Sequence, residues 1–534
     1  MAEPTHATPG ADQIALDDAH LRSLGIRPEL KRTLGFLSNF AVAFSYISVS
    51  TGTFTLMGLG MAVAGPMFFW SWPIVAAGQL LVGLNFAELS SHFPVAGSIY
   101  QWSKRLTNRT LGWFTGWLYF WAGILTVTAV AITVPLVLST ILGVDGTQMY
   151  GPFSWNVWVA LATLVVTTII NAFGVHLMSL INNIGVAAEI LAMLVFAGIL
   201  LIFFHHQPLS VLTNTQGLES QASGNFLPVF AVGAFMSLFV IYGFDTAGTF
   251  GEETVNAGKE APRGVLTAIL LSAVIGTVFL LAIILSTPDV GKEITAAGKG
   301  AFPIADAIHA NMGDVFGNIY LAVVLAAVFV CTMAIQGATT RLMFSMGRDG
   351  RLPFGRTWAH VSSTFRTPAN AAVAVGILSA IPFLVSNSAG VIAIGATGTI
   401  YLSYFLCNLG VLVARFRGWP HKAAWFNLGG LGVVINVAAL VYGGLMLINF
   451  ALWDWPAVFG DWGNALRDAT NPNINSLTFL GSQPLSQLPP WPVFESFLGL
   501  VFVAGLVVFL VAERGRVTRE EMEADAATGE AAIV

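Results

Sequence analysis

Long apolar runs alternate with short polar interruptions along this chain, and the length of the runs sets the fold class. A helix needs about 20 mostly apolar residues to cross a bilayer. Runs of that kind lie at 35–62, 66–90, 112–142, 155–174, 180–204 and 227–250. Six more lie at 264–286, 316–340, 369–386, 390–414, 425–450 and 493–512. The expectation is an all-α polytopic membrane protein with twelve transmembrane helices. The ninth and tenth are divided only by Ser386-Asn387-Ser388-Ala389-Gly390, a turn-forming cluster inside one apolar stretch. The polar segments give a tail at 1–33, a ten-helix core at 34–415, two further helices with a long loop at 416–512, and a second tail at 513–534.

Charge gives the map an orientation. With the N-terminus placed in the cytoplasm, all but three of the 23 Lys and Arg residues fall on inner segments. The exceptions are Lys292, Lys299 and Arg467. This positive-inside bias predicts an inner (cell) membrane protein with both termini cytoplasmic. The long outer loop, 451–492, holds Trp453, Trp455, Trp462 and Trp491, residues suited to the membrane–water interface.

Composition removes several function classes. Hydrophobic residues make up 55% of the chain and charged residues 10%, against roughly 25% in soluble proteins. A net charge of −5 without a basic block speaks against nucleic acid. Cys331 and Cys407 lie far apart in apolar runs and read as small buried hydrophobes. The sequence has no cysteine–histidine cluster at metal-ligand spacing, no nucleophile–base pair and no phosphate loop. Neither a metal, a cofactor nor an enzyme is expected.

Two of the runs are interrupted. The first contains Ser48-Val49-Ser50-Thr51-Gly52-Thr53-Phe54-Thr55, and the sixth contains Tyr242-Gly243-Phe244-Asp245-Thr246-Ala247-Gly248 and runs on to Glu252-Glu253. A broken helix frees backbone groups that must find partners in protein or in a water-lined cavity. Its N–H end suits a carboxylate and its carbonyl end an ammonium. Two such breaks, five helices apart, point to a five-plus-five inverted repeat with a solute site at its centre. Of the 28 acids, all but three fall in tails, loops or at helix ends; the three are Glu88, Glu189 and Asp245. Ionisable residues at that depth are functional candidates. Asp245 reads as a solute or proton site, or as a cap on free N–H groups of the break. Gly112-x-x-x-Gly116 reads as helix packing.

Several motifs together resemble the amino acid–polyamine–organocation permease superfamily, with the amino acid/choline transporter branch nearest. Phe86-Ala-Glu-Leu-Ser-Ser-His-Phe-Pro-Val-Ala-Gly-Ser-Ile-Tyr100 is similar to its signature. Ser50-Thr-Gly-Thr-Phe54 resembles the helix 1 break, with Ser50 in place of the first glycine. Gly243-Phe-Asp-Thr-Ala, Glu252-Glu253 and Pro262-Arg263 resemble the helix 6 break and its exit, and Arg348-Asp-Gly-Arg-Leu-Pro353 the close of helix 8.

The resemblance implies a LeuT-type core with broken helices 1 and 6. It implies solute contacts from Ser48, Ser50, Thr51, Gly52 and Thr53, from Tyr242, Gly243, Phe244 and Asp245, and a gating ring at Phe239. Leu180 to Leu191 resembles the helix 5 stretch where sodium-independent relatives keep a lysine, but here the position is Glu189. Glu189 then competes with Asp245 as the coupling residue, for a proton or for sodium, or stands as a structural acid. Glu252 and Glu253 read as an inner gate or as solvated ends, and Glu88 as the partner of an arginine or of backbone.

The expected function is secondary active import of a small amine-bearing solute, an amino acid or GABA-like compound, by proton-coupled alternating access. A choline or polyamine permease or exchanger is the alternative. A membrane receptor that binds solute without moving it is the alternative of another class. The sequence leaves the oligomeric state open.

Overall fold

The computed structural model describes residues 9–222, 224–300, 302–384, 389–422, 424–453, 478–479, 482–484 and 497–512. Apolar sequence in lipid must satisfy its own backbone hydrogen bonds, and helices do so locally. Among the described residues, strands are confined to two short hairpins. Among the described residues, eight helical runs are long and apolar enough to cross a membrane, the first being the continuous stretch Phe36–His92, and three shorter apolar helices accompany them.

In chain order the helices begin with α1 (Pro9–Ser23), α2 (Phe36–Ile47), α3 (Val49–Ala64), α4 (Ser71–His92) and α5 (Ser98–Leu106). Then come α6 (Arg109–Ala131), α7 (Thr133–Leu142), α8 (Trp155–Phe173) and α9 (Val175–Phe203). The second interrupted run supplies α10 (Phe226–Gly233), α11 (Phe235–Val240) and α12 (Thr246–Thr249), followed by α13 (Ala257–Ser286) and α14 (Val290–Ala297). The remainder are α15 (Pro303–Arg348), α16 (Gly355–Trp358), α17 (Ala369–Ala380), α18 (Ala389–Phe416), α19 (Gly432–Trp453) and α20 (Phe497–Ala512).

Both interrupted runs are broken helices. α2 ends and α3 begins at Ser48, whose φ of 33° lies in the left-handed region. α11 and α12 are separated by residues 241–245, with Gly243 at φ 85°. The broken elements lie at the centre of the bundle. α3 packs against α11 and α15, and α2 against α9, α13 and α15. Around them α6 packs on α18, and α4 on α13.

α9 shows how one face is kept for the interior. Ile184, Leu191 and Ile202 are exposed, as lipid-facing side chains would be, while Asn182, Glu189 and Phe196 are buried on another face.

Three expectations change in detail. The run 112–142 is two helices, α6 and α7, joined at Ile132. The eighth run starts earlier, at Pro303, and bends at Gly313 with φ 77°. The N-terminal segment before the first span carries α1, and its end is fixed by a bridge between Leu34 and Thr254. Residues 386–388 of the expected turn, Trp455, Trp462 and Trp491 of the long loop, and the segment 513–534 lie outside the described residues. Gly112 and Gly116 do serve packing: a Cβ at either would run into Lys104 or Tyr100 of α5.

Candidate solute and coupling site

The two breaks face each other, and a glycine on each makes the approach possible. A Cβ on Gly243 would come within 1.9 Å of the Tyr46 ring at the end of α2, and its φ of 85° already disfavours other residues. A Cβ on Gly52 would lie 2.5 Å from Val240 at the end of α11. Gly52 itself is helical, so its role is close packing, and the first break turns at Ser48 alone. Ser50, Thr51 and Thr53 form the first turns of α3, where Thr53 Oγ1 donates back to the Val49 carbonyl at 2.6 Å.

Glu189 of α9 meets this helix start. Its Oε1 accepts the Ser50 backbone N–H at 3.1 Å, the Ser50 hydroxyl at 2.7 Å and the Ser48 hydroxyl at 2.9 Å. Thr51 Oγ1 lies 2.6 Å from Ser48 Oγ and completes the cluster. A carboxylate suits the positive end of a helix, and here one borrowed from another helix caps it. All three of these bonds end on Oε1 and none on Oε2.

Asp245 sits on the other side of the break. Its Oδ1 accepts the Tyr404 hydroxyl at 2.5 Å, and its Oδ2 accepts Tyr119 at 2.6 Å and Ser98 at 2.8 Å. The donors come from α18, α6 and α5. Tyr404 in turn accepts the Gly243 N–H at 2.9 Å. Asp245 does not cap α12 through its side chain. It reaches the broken backbone through Tyr404.

The remaining expected residues belong to the second break and the helix before it. Tyr242 donates to or accepts from Thr126 at 3.1 Å and packs edge-on against Tyr46. Phe239 meets the Tyr242 ring at 5.9 Å, and Phe244 packs on Phe86 and Tyr404. The Cys331 thiol donates to the Tyr46 carbonyl at 3.6 Å. All of these residues are buried.

Below the second break, toward the end of the bundle where α1 lies, ion pairs hold Glu252 and Glu253. Arg341 binds Glu253 through two bonds of 2.6 and 3.0 Å, and Arg348 binds Glu252 at 2.7 and 2.9 Å. Such forked pairs are strong and directional. Glu252 also accepts the Ala96 N–H, and Asp349 gathers Tyr100, Gln101 and Lys104. Glu88 pairs with Arg415 and accepts the Leu428 N–H. Three of the four motifs of the resemblance, the 86–100 signature, the helix 6 break with Glu252-Glu253 and the close of helix 8, are therefore bonded to one another.

Residues 34–477 match the family described as "Amino acid permease". The chain belongs to the amino acid permease family. The family is one of transporters, so this permease is not an enzyme. Among its relatives is an amino-acid permease BAT1 homolog of Oryza sativa subsp. japonica, 29% identical over 81% of this chain and 87% of the relative. The branched-chain amino acid permease BcaP of Bacillus subtilis is 25% identical over 79% and 91%. A GABA-specific permease of Saccharomyces cerevisiae is 23% identical over 66% and 63%.

Sequence reasoning missed Tyr119, Tyr404 and Ser98 as partners of Asp245. A faint signal existed: a tyrosine inside an apolar span needs a partner for its hydroxyl. Nothing in the linear pattern says which partner.

Proposed function

We propose that this permease imports a small amine-bearing solute, an amino acid or GABA-like compound, by proton-coupled alternating access, with Glu189 as the coupling residue. The observation that carries this reading is the convergence of three donors on a single oxygen of Glu189 at the start of α3. An ionised Glu189 occupies the donors that a solute carboxylate would need. Protonation weakens its hold, and the Ser50 N–H and the Ser48 and Ser50 hydroxyls become free to bind the solute. Proton and solute then load together, and release of the solute lets the ionised Glu189 return. Tyr46, Phe239 and Tyr242 supply the aromatic walls for the amine end, whose charge is attracted to ring faces. The names of the relatives, a branched-chain amino acid permease and a GABA-specific permease among them, fit a solute of this class.

Asp245 has both oxygens engaged by hydroxyls from three other helices, which favours an anchoring role over a cycling proton. Counting Phe36–His92 as two passes, the eight long and three shorter apolar helices make twelve. With the distribution of Lys and Arg, this supports a cell membrane location with both termini cytoplasmic.

Purified permease in proteoliposomes tests the reading. Solute accumulation should follow an imposed inward proton gradient, and Glu189→Gln should remove that dependence while exchange of preloaded solute continues. Accumulation driven by a sodium gradient alone, or an undiminished proton response in Glu189→Gln, would reject it.

A further inference from the structure

Beside Glu189 the structure holds a set of buried polar groups that the site described above does not use. Asn182 lies two helical turns before Glu189 on the same face of α9, roughly 10 Å along the axis. It is fully buried, and neither its amide oxygen nor its nitrogen has a hydrogen-bond partner among the described residues. Ser45 of α2 is 1% exposed, and its hydroxyl is likewise unpartnered. Ser45 shares a face of α2 with Ser38, and Ser38 accepts a bond of 2.9 Å from Asn183 of α9. That bond shows that this face of α2 looks onto α9. Glu189, Asn182, Ser45 and the Asn183–Ser38 pair thus follow the α2–α9 interface from the first break to the end of the bundle where α1 lies.

Buried polar side chains are hydrogen-bonded in the large majority of cases. Both atoms of a carboxamide left without a partner, in line with a carboxylate, point to groups kept for a transient occupant. Of the neighbours of Glu189 on other elements, Tyr320 of α15 also has a hydroxyl unpartnered among the described residues, but it stands on the other side of Glu189 from Asn182. Tyr320 and Cys331 of α15 interact with its charge, and Cys331 is committed to the Tyr46 carbonyl. Tyr320 packs between Phe196 and Phe279, away from the α1 end.

We propose that the Asn182–Ser45 file is the path by which Glu189 releases its proton toward the α1 end of the bundle. This rests on the coupling role of Glu189. In the step itself the O–H bond of the carboxylic acid breaks, the carboxylate keeps the electron pair, and the proton leaves on water as hydronium. Asn182 and Ser45 hold that water by donating and accepting hydrogen bonds, and the Asn183–Ser38 bond seals the file until α2 moves away from α9.

The test uses the full chain in proteoliposomes with Asn182→Leu, Asn182→Ser and Ser45→Ala, using as solute the amino acid that the parent protein accumulates best. Asn182→Leu should slow proton-driven accumulation by about tenfold, as expected for an interrupted proton relay. It should leave exchange of preloaded solute and the thermal midpoint unimpaired, because the amide it removes has no protein partner among the described residues. Asn182→Ser, which keeps a hydrogen-bonding group, should restore most of the driven rate, and Ser45→Ala should show a smaller loss of the same kind. Undiminished driven accumulation in Asn182→Leu overturns the file. A parallel fall in driven accumulation, exchange and thermal midpoint assigns Asn182 to packing and also overturns it. Failure of the coupling role is separable: Glu189→Gln would then keep its proton response, whatever Asn182 does.

Discussion

The two buried acids at the breaks differ in where their partners come from. Glu189 takes three donors from one short stretch, Ser48 and Ser50, all on one oxygen. Asp245 takes three from three helices, on both oxygens. A carboxylate tied to a single half-helix can exchange that tie without disturbing the rest of the bundle. A carboxylate that joins α5, α6 and α18 to the second break cannot. Burial and residue type are nearly the same in the two places, so in the proposed function the connectivity of the partners assigns anchoring to Asp245 and exchange to Glu189.

The strongest way to break this comparison is to disturb the backbone on which both acids depend. In Gly243→Ala the new Cβ would enter the Tyr46 ring at a φ of 85°. Left-handed strain of about 1–2 kcal/mol and overpacking of about 1–3 kcal/mol act together there. Little folded protein should be recovered in detergent by size-exclusion chromatography. Gly52→Ala meets the Val240 side chain, 2.5 Å from its Cγ2 and 3.1 Å from its Cβ, but keeps a helical φ, and should fold with a reduced thermal midpoint.

Asp245→Asn sharpens the contrast. An amide cannot accept all three hydroxyls, and a buried donor left unsatisfied costs about 1–3 kcal/mol. The thermal midpoint should fall clearly, and driven accumulation and exchange should fall together. Glu189→Gln should split those two activities. If Asp245→Asn instead loses only the proton response, the roles assigned to the two acids are reversed.

How much of this was legible in the sequence follows the range of the interaction. The breaks were visible because glycine, serine and threonine interrupt apolar periodicity locally. The residue that turns the first break was not fixed, because a glycine marks a close approach as readily as a turn, and Gly52 proved to be the former. Glu189 and Asp245 stood out because a carboxylate inside a span is rare. Their partners were hidden, since Tyr119 and Tyr404 meet Asp245 only when α6 and α18 take their register against the second break. The exit motif Glu252-Glu253 was read as a gate or as solvated ends. Its pairing with Arg348 and Arg341 depends on the end of α15, which lies far along the chain.

A milder change probes the bridge between Asp245 and the broken backbone. Tyr404→Phe removes the donor to Asp245 and the acceptor of the Gly243 N–H, and keeps the ring that packs on Phe86 and Phe244. A loss of about 1–3 kcal/mol in thermal or chemical unfolding is expected, the scale for two lost hydrogen bonds that leave the buried Gly243 N–H without a partner. Ser50→Ala, at the other acid, removes one hydroxyl and leaves the Ser50 backbone donor in place. Its loss of stability should be smaller, and its larger effect should be on the pH dependence of accumulation.

The smallest effect expected lies at the far end of the bundle, where an acid outside the spans gives the comparison a control. Glu293 of α14 is half-buried, and that burial, with the charge of Asp306 nearby, pushes its carboxyl up to about 7. A carboxyl whose pKa is higher in the folded protein than in the unfolded chain binds its proton more tightly when folded. Its contribution to stability is therefore complete below the unfolded value of roughly 4.3 and is lost as pH rises through about 7. α14 packs on α3, so it should be held less firmly at pH 8 than at pH 5. Amide hydrogen exchange across Val290–Ala297, corrected for the intrinsic pH dependence of exchange, should show that loosening, and Glu293→Gln should flatten it. If Glu293→Gln also flattened the proton response of transport, a titrating group at this end of α3 would share the coupling. The assignment to Glu189 at the start of α3 would then have to be widened.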